Sequence, residues 1–314
     1  MKLHLRPAQQ YRDLRVELVL GQQVVDLGLE RHTAELGNGH QLRWDRVCIA
    51  TGSDARRLPG YQDALYLREL PQADRLRALI DRRESLTIVG AGFIGCEVAA
   101  VAVARGCEVH LYEALEQPLL RVLGPELGAY IAQVHRDHGV DLHLGAGPPP
   151  SAQLVAVGST PRTRDGNTVD EMGRTSVEGV YAAGDVTRFY HPLYETHIRV
   201  EHFQTSQRQG FAVGRAMAGV REPYREVPWF WSDQYDLNLQ YAGAGLPWDE
   251  VVVRGRLGRP PFTVFYRRGG ELVAAAGVND HHTVARARRV MEARASVSVP
   301  QLADPSFDLR RALA

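Results

Sequence analysis

The hydrophobic positions of this chain fall into three successive textures. Up to residue 50 they come as short β-prone runs: Val16–Leu20, Gln23–Leu27, Thr33–Leu36, Gln41–Trp44 and Val47–Ala50. Gly37-Asn38-Gly39 predicts a hairpin between the third and fourth of these. The run Val47–Ala50 reads as a buried strand ending in Thr51-Gly52-Ser53, which puts backbone N–H groups and a hydroxyl where α/β sheets bind ligands. From Asp74 to Gly158 apolar runs alternate with helical spacing. Helices are expected over Asp74–Arg83, Glu97–Ala104 and Leu127–His138; strands are expected over Leu86–Val89, Val109–Tyr112, Gly139–Leu144 and Leu154–Gly158, with the breaker cluster Gly145–Pro150 before the last. That alternation predicts a parallel sheet. Arg174–Asp185 reads as a further strand closing on Gly184-Asp185, followed by a helix over Gln204–Met217. Gly210 and Gly214 within that helix permit close packing or a ligand at its face. From Val227 the texture becomes antiparallel: Trp229–Trp231, Leu237–Tyr241, Glu250–Val253, Phe262–Tyr266 and Glu271–Val278, with Arg268-Gly269-Gly270 as a hairpin turn and His282–Ala295 as a terminal helix.

The chemistry concentrates between Leu86 and Glu113. Gly90, Gly92 and Gly95 stand at G-x-G-x-x-G spacing, with a strand before and a small apolar helix after. Gly90 allows the tight turn, Gly92 lets backbone N–H groups approach a pyrophosphate, and Gly95 lets helix and strand pack closely. The helix N-terminus offers unpaired N–H groups and partial positive charge to the same group. Glu113, at the end of the following strand, can accept both hydroxyl protons of an adenine ribose. Its carboxylate would repel a 2′-phosphate, and Ala114, Leu115 and Glu116 offer no cation to receive one, so NADH is expected over NADPH.

Composition narrows the setting. Lys plus Arg equals Asp plus Glu at 37 each among 314 residues, which argues against a general nucleic-acid or membrane surface. The N-terminal stretch has no apolar signal region and no run is long enough to span a bilayer, so a cytoplasmic location is expected. Cys48, Cys96 and Cys107 form no C-x-x-C pair and read as small buried hydrophobes. No metal is expected: His281-His282 reads as solvent-facing, with no His/Cys/Asp cluster at ligand spacing beside it. Arg286, Arg288 and Arg289 read as one solvated helix face.

With Ala50-Thr51-Gly52, Arg57-Leu58-Pro59, Gly90–Gly95, Glu97, Glu113, Val157-Gly158, Arg174–Asp185, Arg199-Val200-Glu201 and Trp229–Tyr235 in place, the chain resembles the flavin-dependent ferredoxin reductases of oxygenase systems. These belong to the pyridine nucleotide–disulfide oxidoreductase fold. The resemblance runs over nearly the whole chain, and the segment WFWSDQY is its most specific part. It implies FAD and NADH as cofactors and a ferredoxin-type iron–sulfur protein as partner. Asp185, after Gly184, would hydrogen-bond a ribityl hydroxyl, and Thr51 and Gly52 would line the flavin site. Trp231 would pack near the isoalloxazine. Phe93, Ile94 and Glu97 would stand where nicotinamide approaches, and Gly158 and Glu201 would border that cleft. Read from the residues alone, Asp185 is also a candidate helix N-cap and Trp231 a candidate core aromatic.

Departures from the pattern carry expectations of their own. Family members begin with a strand–GxGxxG–helix unit for the ADP half of FAD, and they carry a β-hairpin or meander where Gly147–Pro150 stands and a longer segment between Thr163 and Val169. Where close relatives carry Trp after the Glu-His pair, this chain has Phe203. The expected fold is therefore α/β, a two-dinucleotide-binding-domain (Rossmann-like) fold with the first domain truncated, plus a C-terminal α+β reductase domain. Its parts would be 1–84 and 178–226 (FAD side), 85–177 (NAD-binding) and 227–314 (ferredoxin-reductase type). FAD is expected to bind weakly or not at all to this chain alone. The edge at Val47–Ala50 should invite a complementing polypeptide or a second copy. The alternatives are a degenerate NAD-binding protein and a non-catalytic partner subunit.

Overall fold

The computed structural model describes residues 6–156, 158–161 and 167–313. The chain divides into two compact units, Met1–Val47 and Cys48–Ala314. In the first, α1 (Ala8–Asp13) precedes an antiparallel sheet of β1 (Val24–Gly28), β2 (Thr33–Leu36) and β3 (Gln41–Arg43) in that order. The expected hairpin joins β2 to β3: Gly39 takes a φ of +81°, and the Asn38 side chain accepts from the His40 N–H at 3.0 Å. The strand expected at Val16–Leu20 does not form. Its residues are exposed and outside any ladder, and β propensity without a neighbouring strand to pack on is weak.

β4 (Val47–Ile49) is half-exposed rather than buried, with Cys48 and Ala50 open to solvent. Cys48 is thus not the buried hydrophobe expected, whereas Cys96 and Cys107 are buried. β5 (Ser53–Ala55) follows, and α2 (Leu70–Asp81) is opened by a reciprocal cap between Glu69 and Gln72.

Next comes the parallel unit: β6 (Leu86–Val89), α3 (Phe93–Ala104), β7 (Val109–Glu113), α4 (Leu120–Asp137), β8 (Asp141–Leu144) and β9 (Leu154–Val155). The sheet order is β8-β7-β6-β9, all parallel. Leu86, Ile88, Val109 and Leu111 face α2 and α3, and the small residues Cys96, Ala99 and Ala102 let α3 lie close to them. α3 begins a turn earlier than its spacing suggests. Gly124, at φ +78° before Pro125, kinks α4.

β10 (Ser159–Pro161) pairs antiparallel with β5, and β11 (Asn167–Val169) runs parallel to a later strand. Val157 and the segment 162–166, part of the expected family pattern, lie outside the described residues. β12 (Val180–Ala182) pairs with β4 and leads into a 3-10 turn, Gly184–Val186. β13 (Thr187–His191) and β14 (Thr196–Ile198) precede α5 (Phe203–Met217). Gly210 and Gly214 permit no close packing, since a Cβ at either would meet nothing within 4 Å.

The last part is a five-stranded antiparallel sheet in the order β15-β16-β19-β18-β17: β15 (Trp229–Gln234), β16 (Leu237–Gly243), β17 (Glu250–Arg256), β18 (Arg259–Arg268) and β19 (Glu271–Val278). α6 (His281–Glu292) and α7 (Val299–Ala303) follow; α7 was not visible in the sequence. His281 and His282 are exposed as expected, but Arg288 is not on a solvated face: it folds 5.6 Å over Trp229 and pairs with Glu292. The kinked α4 supplies Leu123, Leu127 and Ile131 to the core of this sheet, and the Tyr266 hydroxyl donates to the Leu123 carbonyl at 2.7 Å.

Arg254 of β17 is buried and holds α7 in place, donating to the carbonyls of Leu302 at 2.7 Å and Gln301 at 2.8 Å. Truncating it strands those carbonyls. Arg254→Ala is expected to lower the unfolding free energy by about 2–4 kcal/mol, read from urea midpoints at constant m.

Candidate functional site: a dinucleotide turn beside an acidic pair

The turn between β6 and α3 has the geometry its glycines predict. Gly90 sits at φ +103° and donates to the Tyr112 carbonyl at 2.8 Å. A Cβ at Gly95 would lie 1.9 Å from the Gly90 carbonyl oxygen, so only glycine fits there. A Cβ at Gly92 would meet nothing closer than 4.0 Å, so the loop is open on the side a phosphate would approach. Gly92 is the α3 N-cap and no side chain caps the helix, which leaves its first N–H groups for a ligand. Glu113 is pinned from behind: its two carboxylate oxygens accept from Ala91 N–H at 2.8 Å and Leu115 N–H at 3.0 Å. The carboxylate is half-buried and keeps lone pairs for two hydroxyl groups. Residues and spaces here fit the ADP half of a dinucleotide.

A second cluster gathers at the carboxyl ends of β4 and β12. Thr51 is exposed, and Gly52 takes φ +74°. Buried Ser53 lies between two carboxylates, 3.4 Å from Asp185 and 3.5 Å from Glu201. Asp185 is no N-cap, since that position is Ala183 and no side chain caps the turn. Instead its carboxylate accepts from Ser206 at 2.9 Å and pairs with Arg68 at 3.0 Å. Gly184, at φ +80°, donates to Gln209 at 2.8 Å, and Glu201 pairs with Arg199 at 2.5 Å. Gly158, exposed at φ +106°, accepts from the Arg56 N–H at 2.9 Å. The donors and carboxylates fit hydroxyl groups of a ribityl chain. Among the described residues the turn after β6 is the one strand–glycine–helix unit.

The two places are connected through aromatic and polar contacts. Phe93, in the first turn of α3, packs edge-on against Phe230 with ring centres 4.6 Å apart; Phe230 stacks on His202 at 4.1 Å, and His202 follows Glu201. Glu97 accepts from Ser232 at 2.6 Å. Burial raises the Glu97 pKa, Ser232 opposes that rise, and Asp233 adds to it. Ile94 is exposed. Trp231 is 44% exposed and therefore not core; β alternation turns it away from Phe230 and Ser232, and its ring neighbour is Trp229 at 5.9 Å.

Sequence reasoning missed Arg68, Ser206, Gln209 and the role of His202. A polar pair four apart on one helix face, Thr205 and Gln209, was the available signal for buried acceptors on α5. Arg68 sits in a loop and left none. Also missed was His135, fully buried between Gln234 at 3.1 Å and the Tyr235 hydroxyl at 2.9 Å. Burial pushes its pKa down to about 4, with Gln234 opposing. His202 is likewise pushed down to about 4 by burial, Asp185 opposing.

A histidine held neutral in the fold costs stability once the unfolded chain takes up the proton. Stability is therefore full above the ordinary histidine pKa of about 6.5 and falls as pH drops toward 4, by on the order of 3 kcal/mol for His135. Urea midpoints measured across that window should decline for the natural chain, and His135→Gln should flatten the decline.

Two family models match the chain. "Pyridine nucleotide-disulphide oxidoreductase" matches residues 4–149, and "Reductase C-terminal" matches residues 229–313. Two relatives align over nearly the whole chain. The ferredoxin–NAD(+) reductase component of the anthranilate 1,2-dioxygenase system of Burkholderia cepacia is 34% identical over 98% of this chain and 84% of its own length. Rhodocoxin reductase of Rhodococcus erythropolis is 31% identical over 99% and 81%. Among solved structures, the ferredoxin reductase for the CYP199A2 system from Rhodopseudomonas palustris superimposes with a TM-score of 0.92 at 30% identity, covering 100% of this chain and 86% of that one. The covalent putidaredoxin reductase–putidaredoxin complex gives 0.92 at 27% identity, covering 99% and 84%. The chain belongs to the pyridine nucleotide–disulphide oxidoreductase family, within the ferredoxin reductases of oxygenase systems. No helix among the described residues is long and apolar enough to cross a membrane.

Proposed function

We propose that this chain is an FAD-dependent oxidoreductase that passes electrons from NADH, through flavin, to a ferredoxin-type iron–sulfur protein in the cytoplasm. The observation that carries the reading is the run of contacts from the dinucleotide helix to the acidic pair: Glu97 to Ser232, Phe93 to Phe230, Phe230 to His202, and then Glu201, Ser53 and Asp185. FAD held by Thr51, Gly52, Gly184, Asp185 and Glu201 would supply the chemistry that links a two-electron hydride donor to a one-electron iron–sulfur acceptor. The chain's own residues do the positioning. Gly90, Gly92 and Gly95 admit the NADH pyrophosphate to the α3 N-terminus, and Glu113 orients the ribose and disfavours a 2′-phosphate. Phe93, Ile94 and Glu97 face the nicotinamide, with Gly158 bordering the cleft. Thr51, Gly52, Gly184, Asp185 and Glu201 hold the flavin side, and Trp231 stands on the exposed face of β15, where a flavin or protein partner would meet it. The division into 85–177 for NADH, 1–84 with 178–226 for flavin, and 227–314 for the reductase module belongs to this reading.

The half-exposed strand β4, paired with β12, is where a complementing polypeptide or a second copy would add a strand. Purified chain incubated with FAD, desalted, and assayed for flavin absorbance and for NADH-dependent reduction of a ferredoxin or dye tests the reading. NADH-dependent reduction is expected with FAD present in excess, little flavin is expected to survive desalting, and Asp185→Ala should raise the FAD concentration needed about ten-fold or more. NADH binding with neither flavin nor reduction, with and without an added N-terminal flavin-binding unit, would favour a nucleotide-binding protein without redox activity.

A further inference from the structure

The face of the parallel sheet opposite α2 and α3 is divided. Over β6 and β9 it is covered, with Val89 and Val155 packed under Tyr61 and Tyr66. Over β7 and β8 it carries His110, Tyr112, Asp141 and His143 instead. The register pairs His110 with Asp141 and Tyr112 with His143, so all four side chains share one face, while Val109 and Leu111 turn the other way into the core. Apolar residues would suit a sheet face covered by protein; histidines and a carboxylate here are a different choice of side chain.

We propose that His110, Asp141 and His143 form a binding site for a divalent transition-metal ion of the zinc class. One ligand atom from each lies within 4.8 Å of the other two. Asp141 Oδ2 stands 2.8 Å from His110 Nδ1 and 2.8 Å from His143 Nε2. Zinc bonds of about 2.0–2.1 Å in tetrahedral geometry place ligand atoms about 3.3 Å apart, so the carboxylate oxygen, 2.8 Å from each nitrogen, must move out by about half an ångström and the two nitrogens, no more than 4.8 Å apart, close in by at most about 1.5 Å, which rotation of these partly exposed side chains supplies. Two imidazoles and one carboxylate leave the fourth position to water, and imidazole selects zinc, nickel or copper over magnesium or calcium. The surroundings orient the ligands. Glu108 Oε1 lies 3.6 Å from His110 Nε2, the nitrogen facing away from Asp141, as in carboxylate–histidine–metal arrangements. Tyr112 stacks on the His143 ring with centres 4.2 Å apart and planes 11° apart.

Because β7 and β8 are adjacent strands in fixed register, the site is built on rigid backbone. Its ligands are the second residue of β7 and the first and third of β8, whereas Glu113 closes β7 and alternates to the face of Val109 and Leu111. The ion therefore clips two strands of the nucleotide-binding sheet together and stays away from the dinucleotide chemistry.

The full chain, treated with chelator and titrated with zinc chloride by calorimetry, tests this, with cobalt(II) visible absorption as the geometry probe. The expected result is one equivalent bound, a four-coordinate cobalt spectrum, and a zinc-dependent rise in melting temperature. His143→Gln and Asp141→Asn, both partly exposed positions that should fold, should each weaken binding about ten-fold or more. The double variant of His281 and His282 to Gln should leave binding unchanged. No zinc binding at micromolar concentration, or binding that survives His143→Gln and Asp141→Asn but is lost in the His281/His282 variant, overturns the site.

Discussion

Replacing Gly95 by alanine is expected to weaken NADH binding by about a hundred-fold or more and to destabilise the fold at the same time. A Cβ there would stand 1.9 Å from the Gly90 carbonyl oxygen and 3.1 Å from the Gly90 carbonyl carbon. Neither can yield easily: Gly90 is held at φ +103° and hydrogen-bonded to Tyr112. α3 would have to recede from β6 by on the order of 1 Å, and a close-packed interior does not absorb such a shift. Cys96, Ala99 and Ala102 would lose their contact with the sheet, at a cost of about 1–3 kcal/mol or more. The glycine loop would move with the helix, carrying the pyrophosphate donors away from their positions. Gly214→Ala is the contrasting case. Its Cβ meets nothing within 4 Å in the last turn of α5, so it should be neutral or stabilise by up to about 1 kcal/mol. Calorimetric titration with NADH and urea unfolding distinguish the two. Undiminished NADH affinity in Gly95→Ala would remove the dinucleotide assignment from this turn.

The second large effect concerns the choice between cofactors. Glu113→Arg should narrow or reverse a preference for NADH over NADPH, shifting the affinity ratio by about a hundred-fold. Two terms contribute with the same sign. The carboxylate no longer accepts from the ribose hydroxyls, and a cation replaces an anion where the 2′-phosphate would sit. A cost follows from geometry: arginine cannot accept from Ala91 and Leu115 N–H, so both nicotinamide cofactors should bind less well than NADH binds the natural chain. Glu113→Gln separates the terms, because the amide oxygen can still accept one of those N–H groups while the charge is gone. It should lose most of the discrimination with a smaller loss of NADH affinity. Equal binding of the two cofactors by the natural chain would remove the ribose role from Glu113.

Which parts were legible follows from how far apart the interacting residues are. The turn after β6 was readable because every requirement is local: glycines spaced for one turn, a small-residue helix, and an acid at the next strand end. The C-terminal strands were readable from alternation, since each buries one face. Val16–Leu20 shows the limit of that signal. It has strand-forming residues but no strand to pair with, and it stays outside any sheet and exposed. Val47–Ala50 shows another, because an apolar composition does not say how many neighbours a strand finds.

The Asp185 environment lay beyond local reading altogether. Its cation, Arg68, is 117 residues away in a loop, and Ser53 reaches it across 132. The same holds for His135, whose burial depends on α4 crossing to the antiparallel sheet at the Gly124 kink. His110, Asp141 and His143 have no ligand spacing along the chain, because a helix intervenes and only parallel register sets the residues side by side. The amino-acid order by itself determined the dinucleotide turn, its acidic partner and the antiparallel module, because steric and hydrogen-bonding needs within a few residues admit few other solutions. Tertiary structure decided which carboxylates found a cation, which histidines lost their water and which strand face stayed open, because those outcomes depend on register and on packing between distant segments.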